Sequence, residues 1–394
     1  MIPSVLPSYA RAPISFERGE GPYLYTADGK RYLDFTAGVA VVCLGHANPR
    51  LIKALTDQAR KLWHCSNLFE VEGQKRVAQM LIDHSFADTA FFCNSGAEAC
   101  EAAIKMARKY QAATGHPEKY RLIACTGSFH GRTLATLAAA GNEKYLAGFG
   151  PPLEGFDHVS FGNLNEMRAS VTGATAGVMV EPVQGEGGLA TPPSGYLRGL
   201  RQLCDEFGLM LVYDEVQSGM GRTGKLFAHQ WESGAEPDIL ATAKGLGGGF
   251  PVGACLATGK AAAGMTPGTH GSTFGGNPLA MAVAAEVMSV LTEPGFLQRV
   301  EAMGKALRSR LDRLVADHAG IFAATRGAGL LLGLQCQVPN LDMVTRLREA
   351  GLLAAAAGEN VVRLMPPLTI EEPQIDEAWR IADGVARRWE PAAR

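Results

Sequence analysis

The chain has 394 residues, 47% hydrophobic and 19% charged, with a formal net charge of −2. That composition is globular, and the length supports a large core spread over about two domains. It lacks the basic excess that holds a phosphate backbone, and its Lys and Arg are scattered, so nucleic acid is not an expected partner.

Residues 1–45 read as an irregular arm with a hairpin, because YLYTADGKRYLDF alternates apolar residues around Asp28-Gly29. From 46 to 285, helix and strand patterns alternate. PRLIKALTDQARKLW predicts a helix, TAFFCNS a strand, SGAEACEAAIKMARKY a helix and RLIACTG a strand. AGVMVEPV and LMLVYDE predict strands either side of the helix YLRGLRQLCDEFG. Such alternation predicts an α/β fold: a mostly parallel central sheet covered by helices. PLAMAVAAEVMSVL starts a long helix with proline in its first turn. Residues 286–394 read as a smaller α+β domain. It has a helix over 296–315, strands at GLLLGLQC and VVRLMPP around a helix at MVTRLREAG, and a last helix at the C-terminal end.

The eight cysteines form no CxxC pair, and several sit in apolar runs, which predicts reduced core thiols in a cytoplasmic protein. The nine histidines show no HExxH and no paired spacing, so no metal is expected. No basic-then-apolar leader is evident, and no apolar run reaches membrane-spanning length.

Two residues point to chemistry most directly. Asp214 closes the apolar run LMLVY, so its carboxylate lands at a strand's C-terminal end, where open α/β sheets hold ligands. Lys244 follows a second apolar run and enters the glycine-rich GLGGGF. A lysine amine able to form a Schiff base, with an aspartate facing a pyridinium nitrogen, is the pattern that pyridoxal 5′-phosphate requires. Taken alone, Asp214 equally suits a salt bridge or a metal ligand, and Lys244 a snorkelling surface residue. Ser95 and Glu98 fit a capping box, and Gly96 leaves the helix start open to an anion; a plain cap explains the same residues. Phe129 and Arg132, after RLIACTG, could stack on a flat ring and grip a carboxylate. Gln217 could donate to a phenolic oxygen. HGSTFGGNP, with Ser272 and Thr273, reads as a connection or a hydroxyl-bearing loop.

Together NSGAEACEAAIKMARK, SFHGRTLATLAAAG, EPVQGEGG, YDEVQSGMGRTG, AKGLGGGFPVGA and HGSTFGGNPLA resemble the class III aminotransferases, pyridoxal-phosphate enzymes of fold type I. The likeness runs from DGKRYLDF to VVRLMPPLTI. It implies that Lys244 is the Schiff-base lysine and proton carrier and that Asp214 holds the ring nitrogen. Phe129 and Val216 would sandwich the ring, and Gln217 would meet its phenolic oxygen. Ser95, Gly96 and Ala97 would bind the phosphate. Thr273 would reach the phosphate in the other subunit of a homodimer, with Ser272 beside the partner's substrate. Arg132 would bind a substrate carboxylate, and Glu186 and Arg363 would form a switching ion pair. FTAGVAVVCLGH, SNLFE and SFHGRT most resemble the branch that transaminates N2-acetyl-L-ornithine with 2-oxoglutarate. Sister branches take ornithine, succinylornithine, succinyl-diaminopimelate or 4-aminobutyrate. Cys43 and Cys100 are expected to stand apart from these roles and to bear on the acyl pocket.

Overall fold

The computed structural model describes residues 3–389. Its centre is a seven-stranded sheet. Across the sheet the order is Thr89–Cys93, Gly253–Ala257, Ile239–Thr242, Met210–Asp214, Thr175–Val180, Arg121–Cys125 and Phe156–Val159. Gly253–Ala257 runs antiparallel to both neighbours; the others run parallel. Met210–Asp214, Thr175–Val180 and Ile239–Thr242 are buried along their whole length, as strands covered on both faces must be. Their aliphatic runs are therefore continuous and not alternating.

Helices pack on both faces. On one, Gly96–Ala113 buries Ala99, Cys100, Ala103 and Ala107, small residues that let it lie close to the strands. On the other, Tyr196–Phe207 buries Leu197, Leu200 and Leu203. Pro278–Leu291 is apolar nearly all round and is buried accordingly.

The C-terminal part contributes an antiparallel four-stranded sheet in the order Phe322–Ala328, Leu331–Cys336, Val361–Leu364 and Ala355–Ala357. Helices Phe296–Asp317 and Glu372–Arg387 accompany it. The predicted hairpin forms between Tyr23–Thr26 and Arg31–Asp34, with Phe16–Glu20 added outside. Its inner strand pairs in parallel with Leu352–Leu353, so the two ends of the chain share a sheet. The helix predicted to run through Trp63 stops at Ala59; beyond it Leu62 and Trp63 are exposed and have no apolar face to join. Among the described residues no single helix is long and apolar enough to cross a membrane.

Candidate active site

Because the strands are parallel, their C-terminal ends share one edge, and the candidate residues lie there. Asp214 ends its strand, Lys244 follows Ile239–Thr242, Ser128–Arg132 follow Arg121–Cys125, and Ser95–Ala97 follow Thr89–Cys93. Ser95–Ala97, Phe129–Arg132, Asp214 and Lys244 line one cavity of about 420 Å³, within the range of small-molecule sites. Ser95, Gly96, Ala97, Phe129, Arg132, Glu186, Asp214, Val216, Gln217 and Lys244 all face it. Arg363 stands behind that wall, joined to it through Glu186 and Gln217.

Asp214 is held by three hydrogen-bond donors. Its Oδ1 accepts from the Val216 amide at 3.0 Å. Its Oδ2 accepts from His130 Nδ1 at 2.8 Å and from Cys100 Sγ at 3.2 Å. Burial opposes charge on His130, but the bond to Asp214 and the charges of Asp214 and Glu181 outweigh it and push its pKa up. Burial, then the nearby Asp214 charge, drives the Cys100 thiol well above its ordinary range, so it stays an S–H donor. The expectation that Cys100 stands apart from these roles is thus corrected. It lies beneath Asp214 because the small-residue face of Gly96–Ala113 packs directly on that strand. Cys43 touches none of the named residues: its thiol donates to the carbonyl of Gly245, next to Lys244, at 3.1 Å.

Lys244 has a backbone φ of 41°, in the left-handed region that a side chain rarely adopts, a strain typical of working sites. Its amine has no hydrogen-bond or ion-pair partner among the described residues. Burial is the main reason its pKa falls to about 8, with Arg363 adding to the fall and Glu186 opposing it.

The glycine-rich approach is required sterically. A Cβ on Gly96 would come within 2.6 Å of Val216 Cγ1, so only glycine lets the start of Gly96–Ala113 close on the Val216 wall. The first amides of that helix, at Gly96 and Ala97, have no acceptor inside it. Ser95 Oγ accepts from the Glu98 amide at 3.2 Å, but Glu98 reaches back to the Asn94 amide at 2.7 Å, one residue earlier than the expected box. A partnerless amine, a buried carboxylate, the apolar side chains of Phe129 and Val216 and unclaimed helix-start amides line the same cavity, and they suit an aldehyde, a pyridinium ring and a phosphate.

Arg363, on Val361–Leu364, is buried and grips Glu186 with two prongs, at 2.5 Å to Oε1 and 3.0 Å to Oε2. It also donates to Gln217 Oε1 and to the Ala356 carbonyl. Ser272 does not line the cavity; its Oγ meets Asn94 Nδ2 at 3.1 Å. Thr273 is exposed, on the same loop.

Two site residues went unread in the sequence. His130 sits between the residues singled out in SFHGR, yet it is the partner of Asp214. Glu181 follows the strand next to that of Asp214. It accepts from the Phe129 amide at 2.7 Å, and burial and the Asp214 charge raise its pKa to about 7. Like Asp214, Glu181 is a carboxylate at the C-terminal end of a buried strand.

An α/β sheet carrying a lysine, an aspartate and unclaimed helix-start amides at one edge fits a cofactor-dependent transferase of the aminotransferase type. Residues 6–384 match the family described as aminotransferase class-III. The chain is 55% identical over 371 residues to the acetylornithine aminotransferase of Mesorhizobium japonicum, covering 94% of this chain and 93% of that one. It superposes on the N-acetylornithine aminotransferase of Stenotrophomonas maltophilia K279a with a TM-score of 0.84 at 38% identity, covering 96% and 97%. With the ornithine aminotransferase of Toxoplasma gondii ME49 the TM-score is 0.93 at 32% identity, covering 98% and 92%. The chain belongs to the class III aminotransferases, and its cofactor is pyridoxal 5′-phosphate.

Proposed function

We propose that this enzyme moves the terminal amino group of N2-acetyl-L-ornithine to 2-oxoglutarate. The products are N-acetyl-L-glutamate 5-semialdehyde and L-glutamate, a step of arginine biosynthesis. The relatives named above support the substrate. The observation that carries the reading is the two-pronged Glu186–Arg363 pair at one side of a cavity that Arg132 also lines.

Pyridoxal phosphate, when bound, supplies the aldehyde that takes up the amino group and the ring that draws electrons from the reacting carbon. Lys244 would hold that aldehyde and would be the group to carry a proton from the substrate carbon, since burial lowers its pKa to about 8 and so favours the free amine. Asp214 would keep positive charge on the ring nitrogen, and His130 and Cys100 hold its carboxylate in place. Phe129 and Val216 would flank the ring, Gln217 would serve its phenolic oxygen, and Ser95, Gly96 and Ala97 would receive the phosphate.

Arg132 binds the far carboxylate of either amino donor. Glutamate carries a second carboxylate on its reacting carbon, and Arg363 receives it. Acetylornithine offers a neutral CH₂ there, and Glu186 then neutralises the buried Arg363.

The active unit is a homodimer in the cytoplasm. Thr273 and Ser272, exposed or half-buried on their loop, serve the partner's site. The loop adjoins an apolar patch: Trp63, Leu68, Phe69 and Phe274 are 65%, 86%, 68% and 62% exposed, and Asn67 ties the patch to the loop through the carbonyls of Ser272 and Gly275.

Glutamate formation from 2-oxoglutarate, assayed with acetylornithine, ornithine, succinylornithine and 4-aminobutyrate in parallel, tests the reading. The highest kcat/KM is expected with acetylornithine. A higher value with another amine would move the substrate to that amine and leave the transaminase class intact.

A further inference from the structure

Arg132 lines the cavity with no acidic partner. Among the described residues its guanidinium makes no salt bridge and no hydrogen bond, and it is held by aromatic rings alone. Its carbon centre lies 3.8 Å from the centroid of the Tyr145 ring and 5.2 Å from that of Phe129. The two rings meet edge to face, with centroids 6.2 Å apart. Phe129 is the cofactor wall, so one aromatic pair joins it to the arginine.

The chain builds this contact deliberately. Thr133 and Thr136 cap the short helix Leu134–Ala140, and Thr133 Oγ1 donates to Glu101, which anchors the residue after Arg132. That helix is buried from Ala135 to Ala140 and ends at Gly141, whose φ of 63° turns the chain. A Cβ on Gly141 would also collide with the His158 ring. Beyond the turn, Asn142 caps Glu143–Leu146, the segment that sets Tyr145 over Arg132. The Tyr145 hydroxyl takes part in no hydrogen bond among the described residues, so its ring is what the site uses.

We propose that Tyr145 is a positioning residue: its ring face clamps the Arg132 guanidinium, leaving the N–H fork free and aimed at the substrate carboxylate. This rests on Arg132 being the carboxylate receptor. An arginine normally gains such order from a neighbouring carboxylate, but one here would compete with substrate. Stacking orders the planar cation and uses none of its donors. Substrate then meets a fork that has already lost its rotamer freedom.

The test uses holoenzyme carrying Tyr145→Leu, Tyr145→Phe, Arg132→Ala and the Arg132→Ala/Tyr145→Leu pair. The probe is glutarate, a dicarboxylate with no reacting amine or carbonyl, titrated calorimetrically. Tyr145→Leu should weaken glutarate about five- to tenfold and raise KM for acetylornithine and 2-oxoglutarate alike, with kcat within about twofold. Tyr145→Phe should restore wild-type binding. In the Arg132→Ala background Tyr145→Leu should add nothing, because the clamp then holds no cation. Tyr145→Met, which keeps bulk without a ring face, replaces the leucine variant if that chain does not fold, with the same expected loss. Unchanged glutarate binding in Tyr145→Leu, beside a large loss in Arg132→Ala, overturns the clamp and leaves the receptor standing. A full additive loss in the double variant overturns it too, by assigning Tyr145 to another task. Unchanged binding in Arg132→Ala overturns the receptor itself.

Discussion

At Lys244 a short-range rule of sequence and a long-range fact of folding meet. The glycine-rich setting announced a close approach, but the partnerless amine and the φ of 41° depend on strands that converge only in the fold. The consequence is a stability cost. An amine whose pKa falls from its ordinary 10.5 to about 8 favours the neutral form in the folded chain. Stability is therefore full above about 10.5 and is lost as pH falls through 8, since folding must then bury a charge or release its proton. Lys244→Met should accordingly raise the melting temperature of the cofactor-free protein at pH 7, by a free energy on the order of 1–3 kcal/mol once the cavity's access to water is allowed for. The gain should vanish near pH 10.5. A gain independent of pH would mean that methionine simply packs better, and that the lysine carries no electrostatic cost. Glu181 runs the opposite way: its pKa is raised to about 7, so its contribution is present at low pH and lost as pH rises through 7. His130 and Glu181 were legible in principle, His130 directly beside Phe129 and Glu181, like Asp214, at the C-terminal end of a buried strand. Tyr145 was not. It lies thirteen positions beyond Arg132, no period links them, and only the turn at Gly141 brings ring and guanidinium together.

Among the elements, those with a strong local signal were legible: the buried strands with unbroken aliphatic runs, the Asp28-Gly29 hairpin, and helices such as Tyr196–Phe207. What sequence did not reveal was pairing. Gly253–Ala257 looks like any other short apolar run, and its antiparallel course between Thr89–Cys93 and Ile239–Thr242 follows from a connection too short for a crossover helix. Leu352–Leu353 is too brief to carry a pattern, and only the fold shows that it extends the N-terminal hairpin. The segment 60–63 is the instructive failure. Leu62 and Trp63 continue the helical pattern of Pro49–Ala59, yet they stay exposed on the single chain, as do Leu68 and Phe69 beyond them. If they are the dimer surface, Trp63→Glu with Phe69→Glu should turn the sedimenting species into a monomer. Phosphate affinity should fall with it, since Thr273 could no longer reach the partner. A dimer that survives both charges would remove this patch from the interface.

At the scale of the whole molecule, Arg363 and Glu186 connect two sheets. Arg363 comes from the C-terminal antiparallel sheet, and Glu186 from the loop after the central strand Thr175–Val180. The Gly358 amide also donates to the Glu186 carbonyl at 2.9 Å, so the loop and the second sheet are stitched at backbone as well as side chain. The pair is thus a joint between parts of the fold as well as a proposed selector between substrates, and the two roles predict different outcomes for Glu186→Gln. As a selector, the loss of negative charge leaves Arg363 free to take a carboxylate at all times. Glutamate then competes better, and acetylornithine binds in poorer orientations, its own carboxylate drawn to the wrong arginine. The acetylornithine half-reaction should fall while the glutamate half-reaction holds or improves; about a tenfold change in their ratio requires only about 1.4 kcal/mol of differential binding. As a joint, the same substitution would loosen the loop against the second sheet and slow both half-reactions together. Single-turnover measurements of each half-reaction separate the cases, and equal losses in both would reduce the pair to a structural tie.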